Sequence, residues 1–396
     1  MKPARRSTRL LVTVAVLAAP LACDDGSDGS AGETTTPPAA VVDTLTFLTE
    51  EGDGRDNLSA GSSTVQQRLV EELEPIAATI PGGDGFRHPF DEGTNVIGII
   101  EGTTAPSEIV VLGAHYDHLG HDCPTDDPGD DVCDGAGDDA AGVAAVLEIG
   151  RRLATDAPAR SVVLALWDAE EAGLLGSAAA VRSGVLDVDA VVAYLNWDIQ
   201  GVNLLPSLVD TTFVIGAETG GPDLEDAVAA GTASSGLQPV DLSVLFGQGR
   251  SDHATFVDLG VPSVFFSDAT SACYHTSQDD LAHLDLDKLA RQIDVGEAVA
   301  RAVAGTDATP TFVADAPPAS FDDAVAMQAL VERAGPDLDR YSPDDRARIE
   351  QFQASLDTMV DDGAAAFDDD DVRALLGGTE TFVELFTEGE CDGFLD

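Results

Sequence analysis

The alternation of short apolar runs with helical stretches between residues 43 and 305 is the feature that most limits the fold of this 396-residue chain. Apolar runs of this length are typical of strands buried in a sheet, and they occur at residues 95–100, 108–113, 161–167, 190–196, 212–216 and 262–266. Helical patterns lie between them, over 64–76, 140–154 and 287–303. This alternation predicts a domain of the α/β class over residues 43–305.

The composition changes after Gly305, where proline, alanine and aspartate become frequent. A helix start follows at Ser342-Pro343, with a capping serine and a proline suited to the first turn. Apolar residues then recur at helical spacing as Ile349, Phe352, Leu356 and Met359. We therefore expect residues 306–396 to form a small acidic helical appendage.

The charge balance is strongly acidic, with 72 acidic and 20 basic residues and a formal net charge of −52. Such a surface repels the phosphates of nucleic acids and of anionic lipids. Nucleic acid binding and attachment to membranes through basic residues are therefore not expected.

The first residues have the pattern of an export signal. Basic residues precede an apolar run at positions 10–19 that is too short to span a bilayer. Cys23 follows this run and resembles the lipidated cysteine of bacterial lipoproteins. We expect residues 1–22 to be a signal peptide and residues 23–42 a disordered tether. The mature protein is then either a lipoprotein of the cell envelope, on the outer or the cytoplasmic membrane, or a secreted protein.

Four further cysteines fit an oxidising compartment, where disulfides persist. Cys123 and Cys133 flank a polar loop, which favours their pairing and leaves Cys273 for Cys391. The sequence also permits two other connectivities or free buried thiols.

Five polar segments follow predicted strands or open a helix, at residues 113–120, 135–142, 168–177, 195–201 and 273–280. Open α/β sheets place their sites at the carboxyl ends of strands. Taken singly, each segment has an ordinary structural explanation, such as a turn or a carboxylate at a helix start. Together they supply two histidines and several carboxylates, a donor set suited to two divalent cations with Asp138 shared between them.

The order of these segments resembles the M28 family of zinc metallopeptidases, whose members include aminopeptidases with two zinc ions. The matching motifs are Gly-x-His-x-Asp at 113–117, Gly-Ala-x-Asp-x-x-x-Gly at 135–142, Glu-Glu-x-Gly-Leu-x-Gly-Ser at 170–177, Asn-x-Asp at 196–198 and His-Thr-x-x-Asp at 275–279. The resemblance covers roughly residues 43–305. It implies a three-layer α/β/α fold with a mixed, mostly parallel central sheet. Ala141 departs from the family's usual serine.

The resemblance also implies a role for each matching residue. One zinc site would be completed by His115 and Asp198, and the other by Glu171 and His275, with Asp138 bridging the two Zn²⁺ ions. Glu170 would act as general base. The resemblance makes Asp117 a partner of His115 and Tyr274 a hydroxyl donor to the developing oxyanion. His118 and His253 are interpreted as structural or substrate-facing residues.

The expected function is that of an exported aminopeptidase acting on peptides with a free N-terminus, and we expect a monomer. Three alternatives stay open. A carboxypeptidase or dipeptidase of the same fold would differ in which peptide end it requires. A glutaminyl-cyclase-like acyltransferase would use a single zinc ion, and a catalytically inactive module would bind metal and recognise partners.

Overall fold

The computed structural model describes residues 36–51, 54–123, 132–307, 309–387 and 391. Its central feature is a nine-stranded sheet with the strand order β1-β3-β5-β4-β6-β9-β7-β8, and β2 pairs with β3 outside this path. The strands are β1 Ala78–Thr79, β2 Arg87–Phe90, β3 Gly93–Ile100, β4 Ala105–His115, β5 Arg160–Trp167, β6 Val191–Trp197, β7 Thr211–Ile215, β8 Gln238–Leu242 and β9 Ser263–Ser267.

The middle of this sheet is parallel and its margins are antiparallel. Strands β5, β4, β6 and β9 pair in parallel, as do β7 and β8, whereas β3 pairs antiparallel to β5 and β7 pairs antiparallel to β9. The expected mixed, mostly parallel sheet is therefore confirmed.

Ten helices accompany the sheet in the described part of the chain. They are α1 Ala39–Thr46, α2 Ala60–Leu73, α3 Ala141–Thr155, α4 Leu175–Arg182, α5 Pro222–Thr232, α6 His253–Val257, α7 Leu286–Ala304, α8 Phe321–Ala334, α9 Pro343–Asp362 and α10 Asp369–Thr387.

Two apolar clusters, one on each face of the sheet, form the main core. The larger cluster joins the sheet to α1, α2, α3, α5 and α7, with Leu112, Val146 and Ile293 among its buried members. The smaller cluster lies on the opposite face and includes Trp167 and Phe256. Helices on both faces of one sheet give the three-layer α/β/α arrangement that the sequence predicts.

A third apolar cluster joins α8, α9 and α10 to the margin of the sheet formed by β7, β8 and β9. Met327 and Leu356 from the helices and Phe265 from β9 are buried in it. The predicted capping serine is present, because Ser342 Oγ accepts a hydrogen bond from the Asp345 amide at 3.2 Å. The C-terminal region is therefore helical, as expected, and it extends the core.

The predicted strands coincide with six observed strands to within three residues at each end. Strands β1, β2 and β8 were not predicted. Strand β8 carries Pro239 and Asp241 and lies at the sheet edge, where polar residues and proline are tolerated. Helix α2 begins four residues earlier than predicted because the Ser59 side chain caps it by accepting from the Ser62 amide.

The N-terminal predictions fall mostly outside the described residues, which begin at position 36. The predicted signal peptide and Cys23 lie there. Helix α1 begins at Ala39, inside the last part of the predicted tether, because Val41 and Leu45 bury their side chains in the main core. Within the described residues, no helix combines the length and the apolar character that crossing a bilayer requires.

The favoured cysteine pairing is present in the structure. Cys123 is joined to Cys133 with a Cα–Cα distance of 5.1 Å, and Cys273 to Cys391 with 4.8 Å. The second disulfide connects the loop that follows β9 to the chain beyond α10.

Candidate metal centre

The predicted site residues meet at one edge of the sheet. His115 is the last residue of β4, Asp198 directly follows β6, and Glu170 and Glu171 follow β5. Because β4, β5 and β6 are parallel neighbours, their carboxyl ends lie side by side. The loop before α3 adds Asp138 to this group.

Asp138 lies between two histidines and directs one carboxylate oxygen at each. Its Oδ1 is 3.1 Å from His115 Nε2, and its Oδ2 is 3.2 Å from His275 Nε2. On either side, His115 Nε2 is 3.7 Å from Asp198 Oδ1, and His275 Nε2 is 3.2 Å from Glu171 Oε2. This is the grouping that a bridging carboxylate with two flanking ligand pairs requires.

The donor atoms of this group suit zinc, which binds imidazole nitrogen and carboxylate oxygen. Among the described residues, His275 Nε2 and Glu171 Oε1 are buried atoms that make no hydrogen bond of suitable geometry, although other polar atoms lie within 3.2 Å of each. Buried polar atoms without partners are costly unless a ligand satisfies them. The residues present therefore fit divalent cations.

The ring of His115 is oriented by the main chain two residues farther on. Its Nδ1 lies 3.0 Å from the main-chain oxygen of Asp117, to which it donates a hydrogen bond when that nitrogen carries the proton. The Asp117 carboxylate is farther away, at 3.6 Å. A proton on Nδ1 leaves the Nε2 lone pair free to face the centre.

The carboxylate of Asp117 mainly holds the segment after β5. Its Oδ1 accepts a hydrogen bond from the Glu170 amide at 3.0 Å, and its Oδ2 accepts one from the Glu171 amide at 3.2 Å. Asp117 thus positions the backbone of Glu170 and Glu171 through its carboxylate and the ring of His115 through its main-chain oxygen. The contacts with the two glutamate amides were not predicted from the sequence.

The loop that carries Asp138 is held by two residues that the sequence analysis did not select. Asp279 accepts hydrogen bonds from the amides of Gly137 at 2.8 Å and Asp138 at 3.0 Å. The buried Arg55 donates to the main-chain oxygens of Gly135 at 2.6 Å and Asp138 at 3.3 Å. Asp279 ends the His-Thr-x-x-Asp motif and could have been found there, whereas no motif indicates Arg55.

Asp139 also lies in this group, but its carboxylate serves the backbone. It accepts hydrogen bonds from the His115 amide at 3.2 Å and the Gly142 amide at 3.0 Å. A Cβ atom at position 142 would lie 2.2 Å from Asp139 Oδ1, so this contact requires glycine. The glycine of the second motif is explained by this close approach.

The two remaining histidines of the region differ in their surroundings. His118 Nδ1 lies 2.8 Å from Glu171 Oε1 and 3.9 Å from Asp138 Oδ2, so His118 belongs to the same cluster. The ring of His253 stacks on Phe265 with centroids 4.6 Å apart, and burial lowers its pKa to about 4. His253 is therefore a packed, neutral side chain.

Burial and neighbouring charges set opposite protonation preferences for two carboxylates. Burial raises the pKa of Glu170 well above its usual range. Burial alone would also raise the pKa of Asp138, but the adjacent imidazoles of His115 and His275 hold it well below its usual range. The site thus combines a carboxylate that readily accepts a proton with one that stays ionised.

Tyr274 stacks on His275, with ring centroids 3.8 Å apart and an interplanar angle of 19°. Burial raises the pKa of its hydroxyl above the usual value, so the hydroxyl stays protonated. A protonated phenol at this position is a hydrogen-bond donor.

A cavity of about 900 Å³, counted with the space open to solvent, begins at this cluster. Its acidic end is lined by Asp138, Glu170, Glu171 and Asp198, and its other end by apolar side chains of the sheet and the C-terminal helices. Among the described residues that line it, Arg250 is the one basic side chain.

Comparison with known proteins identifies similar sequences and folds. Residues 95–300 match the sequence model of peptidase family M28. The chain is 30% identical over 289 residues to the probable glutamate carboxypeptidase LAMP1 of Arabidopsis thaliana, covering 64% of this chain and 40% of that protein. It is 30% identical over 240 residues to leucine aminopeptidase 1 of Ajellomyces capsulatus (strain NAm1 / WU24), covering 56% of this chain and 60% of that protein.

Among solved structures, the LapA aminopeptidase of Legionella pneumophila has a similar fold. Its TM-score is 0.56 at 22% sequence identity, over 67% of this chain and 72% of that chain. The present chain spans less than two thirds of the length of the two curated relatives named above.

Proposed function

The chain belongs to peptidase family M28, and on that premise we propose that it is an exported zinc aminopeptidase that removes the first residue of peptides. The observation that carries this proposal is the position of Asp138, which lines the cavity, between His115 and His275. The name of the fungal relative, a leucine aminopeptidase, agrees with it.

Five residues would hold two zinc ions in this proposal. His115 and Asp198 would bind one ion, Glu171 and His275 the other, and Asp138 both. When bound, such ions lower the pKa of a water molecule and polarise the peptide carbonyl. His118 lies against Glu171 and would keep that carboxylate in place.

Glu170 is proposed as the general base because its protonation can change during the reaction. Its side chain is buried and its pKa is raised by that burial, which favours proton uptake. It would take the proton of the attacking water and return it to the leaving amine. Asp117 would keep it in place by accepting the hydrogen bond from its amide.

Tyr274 would donate a hydrogen bond from its hydroxyl to the oxyanion that develops from the scissile carbonyl. Stacking on His275 limits the movement of its ring. Hydrogen bonds directed at a developing negative charge are a major source of rate enhancement in acyl transfer.

The acidic end of the cavity favours a substrate with a free amino group. Glu170, Glu171 and Asp198 line this end of the cavity, and their carboxylate oxygens can accept hydrogen bonds from an ammonium group, whereas a substrate carboxylate has no proton to donate to them. A peptide bound by its N-terminus meets this requirement, and a peptide bound by its C-terminus does not.

Arg250 supports a second candidate function. It lies on the cavity wall and its side chain is exposed, so it could receive the terminal carboxylate of a substrate. The Arabidopsis relative is named as a probable glutamate carboxypeptidase. The alternative is therefore a carboxypeptidase or dipeptidase built on the same metal centre.

A panel of blocked peptides distinguishes the two functions. We expect the zinc-loaded chain to hydrolyse peptides with a free N-terminus, including those amidated at the C-terminus, and to leave N-acetylated peptides intact. Hydrolysis that tolerates N-acetylation and requires a free C-terminus would establish the alternative. The Arg250→Ala variant serves as a control, because its activity should change only if Arg250 binds the substrate carboxylate.

Export is proposed from the signal pattern of residues 1–22 and from the two disulfides. Both disulfides lie among the described residues, and such bonds persist outside the reducing cytoplasm. A lipid anchor at Cys23 and a monomeric state complete the proposal.

A further inference from the structure

The apolar end of the cavity is built by two parts of the chain. One wall comes from the sheet, where Phe213, Leu242 and Phe265 line the cavity. The facing wall comes from the C-terminal helices through Met327 of α8 and Val383 of α10. These helices lie outside residues 95–300, which match the family.

We propose that the C-terminal helices α8 and α10 form one wall of the pocket that receives an apolar side chain of the substrate's first residue, and so determine which side chains are accepted. This proposal deepens the aminopeptidase function and rests on it. The residues that would determine the preference are Met327, Leu330, Phe382 and Val383.

The acidic and apolar ends belong to one cavity, and this indicates which part of the substrate the apolar end receives. In an amino acid, the α-amino group and the side chain are bonded to the same carbon atom. A substrate that places its ammonium group among Glu170, Glu171 and Asp198 must direct its side chain into space that adjoins them. The adjoining space in this cavity is the apolar end, so the matching side chain is apolar.

The wall is held by packing and by a covalent link. Met327, Leu330 and Phe382 are at most 3% exposed, because the third apolar cluster surrounds them. Beyond α10, Cys391 is bonded to Cys273, which directly precedes Tyr274 and His275. The helical wall and the loop that carries a proposed zinc ligand are therefore tied to each other. A wall fixed in this way can exclude side chains by size.

The test uses the full chain and three aminoacyl p-nitroanilides, those of alanine, leucine and phenylalanine. Since the leaving group is constant, changes in relative kcat/KM report the pocket for the first residue. Val383 is half-buried, so Val383→Phe fills the cavity without leaving a void. We expect it to lower kcat/KM for leucine and phenylalanine by about tenfold or more relative to alanine, within the range for a small volume change in an apolar pocket.

A second variant changes the pocket in the opposite direction. Met327→Ala widens it and should raise the preference for phenylalanine over alanine. Val325→Phe is the matched control, because Val325 also lies on α8 but is 39% exposed and does not line the cavity. Its substrate ratios should equal those of the unsubstituted chain. Thermal unfolding midpoints show which variants are folded, and if Val383→Phe does not fold, Met327→Ala decides.

Two different results would overturn these proposals. If the unsubstituted zinc-loaded chain hydrolyses none of the three substrates, the aminopeptidase function fails and the pocket assignment fails with it. If that chain is active but the folded pocket variants keep its substrate ratios, or Val325→Phe changes them equally, the pocket assignment alone is wrong.

Discussion

Two adjacent glutamates of this site, Glu170 and Glu171, differ in their contacts. Glu170 and Glu171 are neighbours after β5, yet only Glu171 approaches His275, at 3.2 Å. Both amides are held by the two oxygens of Asp117. The buried Asp117 carboxylate thus fixes the backbone of both residues, of which Glu171 is the proposed zinc ligand and Glu170 the proposed general base.

The residue with the sharpest expected effect is Glu170. Glu170→Gln keeps the shape of the side chain and removes its capacity to accept a proton, so turnover should fall about a hundredfold or more while zinc content stays unchanged. Activity assays and metal analysis of the same preparation check this. Unchanged turnover would show that Glu170 is not the base, and lost zinc would show that it is a ligand.

At the scale of elements, strand ends and loops were predictable to different degrees. The strands that position His115, Glu171 and Asp198 follow from continuous apolar runs, because strands buried on both faces need such residues. Of the two supports of the Asp138 loop, Asp279 could have been found in its motif, whereas Arg55 was not predictable because it lies in a distant part of the chain that no motif marks. The position of α8 and α10 along the cavity was not predictable either, because apolar spacing predicts helices but not the surface against which they pack.

The contact between α9 and α10 provides a paired test at this scale. A Cβ atom at Gly378 would lie 2.0 Å from the Phe352 ring of α9, whereas one at Gly377 would meet nothing within 4 Å. Gly377→Ala should stabilise the helix by up to about 1 kcal/mol, and Gly378→Ala should destabilise the protein by about 1–3 kcal/mol through overpacking. Denaturant unfolding measures both, and equal effects would contradict the described packing.

At the scale of the whole molecule, the net charge of −52 has two components. A few acids, including Asp138 and Glu171, form the buried centre. Many other acids of the described residues are exposed or partly exposed, and acids outnumber basic residues in the chain. Arg152, for instance, pairs with Glu148, Asp294 and Glu297 together. A net charge so far from zero favours solubility.

The export proposed from residues 1–22 can be measured directly. If Cys23 carries a lipid, the protein should be found in the membrane fraction and Cys23→Ser should transfer it to the soluble exported fraction, since lipid chains supply the binding energy. An unsubstituted protein that is already soluble outside the cell would favour simple secretion. Retention in the cytoplasm would contradict export.

The most direct test of the central claim is the reconstitution of the chelated chain with zinc. We predict that chelation abolishes hydrolysis of leucine p-nitroanilide, that activity returns on zinc addition, and that the active chain contains two zinc ions. One zinc ion per active chain would contradict the centre of two ions bridged by Asp138. Full hydrolysis by the metal-free chain, or none by the zinc-loaded chain, would contradict the account.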